Sequence, residues 1–183
     1  MNKSLSVYVC LALLLLGAVC SSSLAAQTQT AAPPKPAPAN NPCVAKSEHR
    51  QFDFWVGEWD VTDRDKKIAT SSIQSIVGSC IVFENYFDAT GYTGKSFNFF
   101  DATLGKWRQT WVDSIGHVSE FVGEYRDGAM RFEGETHRED GRRVLRRMTI
   151  FNLGAGRVRQ YSEWSLDGKD WKAGYDYTYL RRK

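Results

Sequence analysis

The sequence lacks most of the motifs by which enzymes are recognised. It has no G-x-S-x-G nucleophile elbow, no H-E-x-x-H zinc motif and no C-x-x-C pair. Its three histidines, His49, His117 and His137, are far apart in the sequence and lie near turns or strand starts, so we expect no metal site. We expect no cofactor either.

A complete phosphate-binding loop is also missing. The stretch ATGYTGKS at residues 89–96 ends like G-x-x-x-x-G-K-[ST], but Ala89 stands where the first glycine belongs. Such a loop must join a strand to a helix, whereas FNFFD after Ser96 alternates like a strand. We therefore interpret the stretch as a glycine-containing hairpin turn.

No apolar run is long enough for a membrane span, which takes about 20 residues. The run at residues 7–19 follows Lys3 and precedes small residues, which is typical of a secretory signal peptide over residues 1–25. Val19 stands where a small residue normally precedes a lipidated cysteine, so we do not expect lipid anchoring at Cys20. The Pro- and Ala-rich residues 26–46 predict a disordered tether, and export predicts a periplasmic or extracellular location.

Charge of neither sign dominates, since 24 Lys and Arg stand against 21 Asp and Glu. The densest basic cluster, GRRVLRR at residues 141–147, is typical of a solvated strand face, and we expect no nucleic-acid partner. The charge balance leaves the oligomeric state open.

Two cysteines follow the predicted signal peptide, Cys43 and Cys80. In an oxidising compartment an even pair is most simply a disulfide. Two buried free thiols are the alternative.

Strand patterns fill the rest of the chain. From residue 52 onward, short runs rich in Val, Ile, Phe, Tyr and Trp alternate with turn residues, and Asp127-Gly128 is a strong hairpin signal. We expect helical structure only near residues 48–54. About ten strands joined by short turns predict an all-β domain over residues 47–183, folded as a closed antiparallel up-and-down meander barrel.

The period of two in a strand predicts which side chains line the barrel. In KWRQTWVD, residues 106–113, one face carries Trp107, Gln109, Trp111 and Asp113. Aromatic and polar side chains on one face favour a partly polar cavity, although a solidly packed barrel remains the alternative.

Two later strands add candidate lining residues. Arg147 shares a face with Leu145 and Phe151, and Tyr177 shares one with Trp171 and two other tyrosines. We therefore predict a ligand site formed by Gln109, Trp111, Asp113, Arg147 and Tyr177.

The stretch FDFWVGEWDV, residues 52–61, contains Gly57-Glu58-Trp59, which resembles the G-x-W motif of lipocalin-type (calycin) barrels. With KWRQTWVD it is similar to uncharacterised exported bacterial proteins that have lipocalin-like folds. The resemblance implies a lipocalin-like or fatty-acid-binding-protein-like barrel in which Gly57 and Trp59 are structural and Trp59 closes one end. It implies no established activity.

Two functions remain open. The first is an exported binding module for a small apolar or amphipathic molecule. The second is an enzyme of isomerase or hydrolase type, with Asp113 or a neighbouring glutamate as a base of raised pKa and Arg147 stabilising developing negative charge. The scarcity of catalytic motifs favours the first.

Overall fold

The computed structural model describes residues 40–183. Ten strands dominate it, which confirms the all-β prediction and the number of strands. The strands are β1 (Gly57–Asp63), β2 (Lys66–Ile76), β3 (Ile81–Asp88), β4 (Thr93–Asp101), β5 (Lys106–Asp113), β6 (Val118–Arg126), β7 (Ala129–His137), β8 (Arg143–Asn152), β9 (Arg157–Ser165) and β10 (Lys172–Arg181). The helical elements are α1 (Pro42–Ala45) and two 3-10 turns, Ser47–Arg50 and Asp53–Trp55.

Each strand pairs antiparallel with its sequence neighbours, and β1 also pairs with β10 to close the barrel. The hairpin at Asp127-Gly128 has positive φ at both residues, 52° and 74°, as the tight turns that match strand twist require. Closure leaves no free sheet edge, which removes the usual site of edge-to-edge aggregation. The predicted meander barrel is confirmed, and it is compatible with a lipocalin-like fold.

The phosphate-loop-like stretch divides between a turn and a strand. Its first residues belong to the turn between β3 and β4, where Gly91 has φ 92°, while Gly94, Lys95 and Ser96 already lie within β4. The exclusion of a strand-to-helix phosphate loop is correct. The interpretation of the whole stretch as a turn is wrong for its second half, because Gly94 has a packing role described below.

An aromatic core fills the end of the barrel where β1 begins. Phe52 stacks on Trp55 with ring centroids 5.0 Å apart and meets Trp107 edge-on at 5.6 Å. These rings and Phe132 are at most 2% exposed. Two side chains of the 3-10 turn Asp53–Trp55 pack into this core. The segment that precedes β1 therefore closes this end of the barrel.

Trp59 lies in this sealed end, fully buried. Its indole N–H donates to the carbonyl oxygen of Trp55 at 2.8 Å, and the Arg181 guanidinium lies 4.3 Å above its ring. Arg181 also donates to the carbonyl oxygen of Val56. Gly57 has φ 146°, and a β-carbon there would collide with Arg181. The glycine thus leaves room for the arginine that covers the tryptophan.

The predicted disulfide Cys43–Cys80 is confirmed. It joins α1 to the turn between β2 and β3 at the sealed end, and the Asn41 side chain reinforces the junction by donating to the carbonyl oxygen of Gly78 at 2.6 Å. In the chain-entropy model, closing a loop of 37 residues stabilises the fold by about 4 kcal/mol.

The folded domain starts earlier than residue 47. Pro42–Ala45 is helical and tied down by the disulfide, so the end of the predicted tether belongs to the domain. The predicted signal peptide and most of the tether lie outside the described residues. Within residues 40–183, no helix has the length and apolar character needed to cross a membrane.

Candidate functional site

The barrel interior opens into a cavity of about 980 Å³ at the end opposite the aromatic core. The turns after β3, β5 and β7 surround its mouth. Seven aromatic side chains line it: Tyr86, Tyr92, Trp111, Phe121, Tyr175, Tyr177 and Tyr179. The wall therefore offers broad ring surfaces together with phenol hydroxyl groups, a combination that suits an amphipathic ligand.

The aromatic rings are packed against one another. Tyr175 and Tyr177 stack with ring centroids 4.8 Å apart and planes within 15° of parallel. Across the cavity, Trp111 meets Tyr86 edge-on at 6.1 Å, and Tyr86 meets Tyr92 in the same way at 6.3 Å. Mutual packing fixes the ring orientations before any ligand enters, which lowers the entropy cost of binding.

Glu84 on β3 lies in the cavity wall and is only 2% exposed. Three hydroxyl groups reach its carboxyl: Ser71 at 2.8 Å, Ser96 at 3.2 Å and Tyr179 at 3.1 Å. No arginine, lysine or histidine within residues 40–183 forms an ion pair with it. A buried carboxyl that has hydroxyl partners and no cation favours its neutral form.

Hydrogen bonds extend from Glu84 to both sides of the barrel. On one side Ser96 contacts Asn98 at 2.9 Å, and Asn98 accepts from Gln109 at 2.7 Å. On the other side the Tyr179 hydroxyl lies 2.8 Å from the side-chain amide oxygen, Oε1, of Gln160. We call this buried network, Gln109–Asn98–Ser96–Glu84–Tyr179–Gln160, the polar floor.

The polar floor explains how a neutral Glu84 is satisfied. Tyr179 can donate its proton to Gln160 while it accepts one from the protonated carboxyl, because its oxygen lies within hydrogen-bond distance of both. Burial raises the pKa of Glu84 to about 7, against the lowering effect of the Ser71, Tyr179 and Ser96 hydroxyl groups. Glu84 therefore changes its charge near neutral pH.

Asp113 lies in the cavity wall, but its carboxylate is already occupied. One oxygen accepts from the backbone N–H groups of Ile115 and His117, and the other accepts from the Tyr92 hydroxyl at 2.9 Å. Burial acts to raise the pKa of Asp113, but these hydrogen bonds outweigh it and lower the pKa. The expected base of raised pKa is therefore wrong for Asp113, which instead holds the turn after β5.

Arg147 lies outside the barrel, so its predicted place in the lining is wrong. Its guanidinium lies 3.7 Å from the centroid of the Trp171 ring and 3.5 Å from the Glu133 carboxylate on the outer face. The inward residues of β8 are the even-numbered ones, so the arginine that this strand contributes to the cavity wall is Arg146. The strand carries apolar residues on both faces, so its sequence suited either orientation.

A bulge in β10 separates two residues that the sequence placed on one face. The pairing with β9 shifts by one residue between Ala173 and Asp176. Trp171, before the shift, lies on the outer face against Arg147, whereas Tyr177, after it, lines the cavity. A single extra residue reverses the face of everything beyond it.

The structure thus brings four of the five predicted lining residues together around the cavity. They are Gln109, Trp111, Asp113 and Tyr177. Gln109 belongs to the polar floor, Trp111 and Tyr177 to the aromatic wall, and Asp113 to the rim.

Comparison with known proteins adds no assignment to this geometry. No protein-family model matches the chain, and no curated protein is significantly similar to it. The cavity itself therefore carries the functional interpretation.

Sequence reasoning missed Glu84 and Arg146. Glu84 shares its face with Val82 and Tyr86, but the other face of β3 carries even more apolar residues, so alternation alone points the wrong way. For Arg146 a usable signal existed. It shares its face with Val144, Met148 and Ile150, one more apolar residue than the opposite face has.

Gly94 provides space for Trp111. The two residues lie on paired strands β4 and β5, and a β-carbon at Gly94 would overlap the six-membered part of the indole ring. The backbone of Gly94 has no positive φ, so the glycine is needed for space rather than for conformation.

The first prediction concerns Glu84 and pH. Its folded pKa lies above the ordinary value of 4.5, so the folded state holds a proton that the unfolded state has lost between pH 4.5 and about 7. The stability it contributes is complete below the unfolded pKa and is lost as pH rises through the folded pKa, an effect of roughly 3 kcal/mol. Glu84→Gln should remove this loss, so its free energy of unfolding relative to wild type should rise between pH 5 and about 8.5. Urea denaturation of both proteins at the two pH values measures this difference in the free energy of unfolding.

Glu120→Gln, at an exposed glutamate of β6, is the matched control and should follow wild type at both pH values. An identical pH dependence for wild type and Glu84→Gln would contradict a raised pKa at Glu84.

The second prediction concerns Gly94. Gly94→Ala should displace the Trp111 indole and destabilise the fold by roughly 1–3 kcal/mol, as overpacking usually does. In a Trp111→Ala background the same change should cost much less, because the ring that it displaces is absent. A double-mutant cycle by urea denaturation measures this coupling. Equal costs in both backgrounds would show that Gly94 serves some purpose other than space for Trp111.

Proposed function

We propose that this protein is an exported binding module that holds a small amphipathic molecule in the barrel cavity. The observation that carries the proposal is an open cavity of about 980 Å³ whose apolar lining is mostly aromatic and whose floor is a satisfied polar network. Binding pockets for small molecules combine these features: a concave apolar surface and a few fixed polar groups.

Export is part of the proposal and rests on two features. The first is the signal-peptide pattern of residues 1–25. The second is the Cys43–Cys80 disulfide, which is compatible with an oxidising compartment. The disulfide lies at the sealed end of the barrel and does not line the cavity.

The enzyme alternative has less support in its original form. Its two named residues do not fit their roles, because the pKa of Asp113 is lowered and Arg147 lies outside the barrel. The carboxyl whose pKa is close to neutral is Glu84, yet that group is 2% exposed and engaged by three hydroxyl groups. Glu84 is better suited to the floor of a binding cavity than to contact with a reacting substrate.

The third prediction tests binding with Nile red, a neutral aromatic dye that fluoresces in apolar surroundings. Wild-type protein should enhance its fluorescence in a saturable way. Trp111→Ala should weaken the affinity up to about tenfold, because it removes one of the large ring surfaces of the wall.

Val112→Ala is the matched control, since Val112 is adjacent in β5 but points outward and is 43% exposed. It should leave the affinity unchanged. Equal weakening by both variants would place the dye outside the cavity, and no saturable binding by wild type would count against the binding function.

A further inference from the structure

The charged side chains of the cavity wall differ in whether they have a partner of opposite charge or a hydrogen-bond partner. The proposal drawn from this difference concerns the same cavity and rests on the proposed function. Asp113 is held by its own turn, as described above. At the rim Asp140 forms an ion pair with Arg142 at 2.6 Å, and the Arg138 guanidinium lies 5.4 Å from the centroid of the Trp164 ring. One interior cation, Arg146, has no such partner.

Arg146 lies on the inner face of β8, between Gly134 on β7 and Trp164 on β9. Its Nε is buried and has no hydrogen-bond partner, and no carboxylate of residues 40–183 lies within ion-pair distance of its guanidinium. The guanidinium is close enough to Tyr175 to oppose the rise in the pKa of that phenol, which burial raises.

An unpaired buried donor on a guanidinium is costly unless an anion or water satisfies it. Arginine presents a planar set of N–H donors that matches the two oxygens of a carboxylate or sulfonate. The interior carboxyl, Glu84, is mostly neutral at a pH below its pKa of about 7, so it repels an anion only weakly there. The remaining carboxylates of the lining, Asp113, Glu139 and Asp140, lie at the rim, in or beside the turns after β5 and β7. Arg146 therefore offers the interior position for one negative charge, beside β8.

The uncharged side chains of the cavity wall favour one kind of apolar group in the ligand. Among the lining residues, seven are aromatic, whereas Val118 and Met148 are the only aliphatic ones within the described residues. Tyrosine and tryptophan rings held edge-on or stacked favour planar ligands, whose ring faces and edges complement them, over flexible alkyl chains. An alkyl chain would also lose more conformational entropy on binding than a rigid ring.

We propose that the cavity binds an aromatic anion, a planar ring system with one ionised acid group, with Arg146 as the partner of the acid group. The ring system lies among Trp111, Tyr175 and Tyr177. The polar floor closes the bottom of the site below it.

Isothermal titration of the purified protein at about pH 6 tests the proposal with three probes. These are 2-naphthoate, an aromatic anion; 2-naphthalenemethanol, its neutral counterpart; and octanoate, an aliphatic anion. Wild type should bind 2-naphthoate at least about tenfold more tightly than either of the others, as a charge-assisted pair and ring packing require.

Arg146→Gln should bring the affinity for 2-naphthoate to within about threefold of that for the neutral alcohol. The matched control is Arg147→Gln, the next residue on the outer face, which should keep the full preference. Retained affinity of Arg146→Gln for the alcohol shows that the variant is folded. If Arg146→Gln does not fold, Arg146→Lys takes its place in the test. This variant keeps the positive charge and should keep part of the preference for 2-naphthoate.

Three outcomes would overturn the proposal: equal affinity of wild type for 2-naphthoate and the alcohol, octanoate binding as tight as 2-naphthoate, or a preference that survives Arg146→Gln. Each of these still leaves a cavity that binds small molecules. Failure of wild type to bind all three probes and Nile red would instead remove the proposed function as well.

Discussion

A carboxyl group in the middle of a barrel is the constraint on which the interior of this protein depends. Glu84 is almost inaccessible and has no cation beside it, so the fold must supply hydroxyl groups instead, from Ser71, Ser96 and Tyr179. Those hydroxyl groups come from three strands, β2, β4 and β10, on both sides of β3. Satisfying one side chain thus links much of the circumference of the barrel.

The polar floor divides the interior into two parts with different roles. Below it, the aromatic core around Phe52 and Trp59 is packed and sealed by the chain that enters β1. Above it, the rings of Trp111 and Tyr175 face an open space, and Gly94 leaves room for the Trp111 ring in the wall. The packed half stabilises the fold, so the open half can remain a cavity without the whole barrel losing its core.

The fold was predictable because its signals are local. Turn dipeptides such as Asp127-Gly128 mark hairpins, and the alternation of residues 106–113 oriented β5 correctly. The site was predictable only in part, because strand orientation depends on the neighbouring strands. In β8 two consecutive arginines lie on opposite faces that differ by only one apolar residue, so the sequence gives a weak signal. The pairing with β7 and β9 is what places Arg146 inside and Arg147 outside. For Glu84, tertiary packing overrode a pattern that favoured the opposite face of β3.

The proposed ligand site lies inside the barrel, and an alternative site on the outer face must be tested against it. Phe97 and Val122 are exposed there, on β4 and β6, 39% and 44% respectively. The most direct test is a set of intermolecular nuclear Overhauser effects from the ring protons of bound 2-naphthoate. Effects to the ring protons of Trp111 and Tyr175 are the predicted result, and effects confined to Phe97 and Val122 would contradict an interior site.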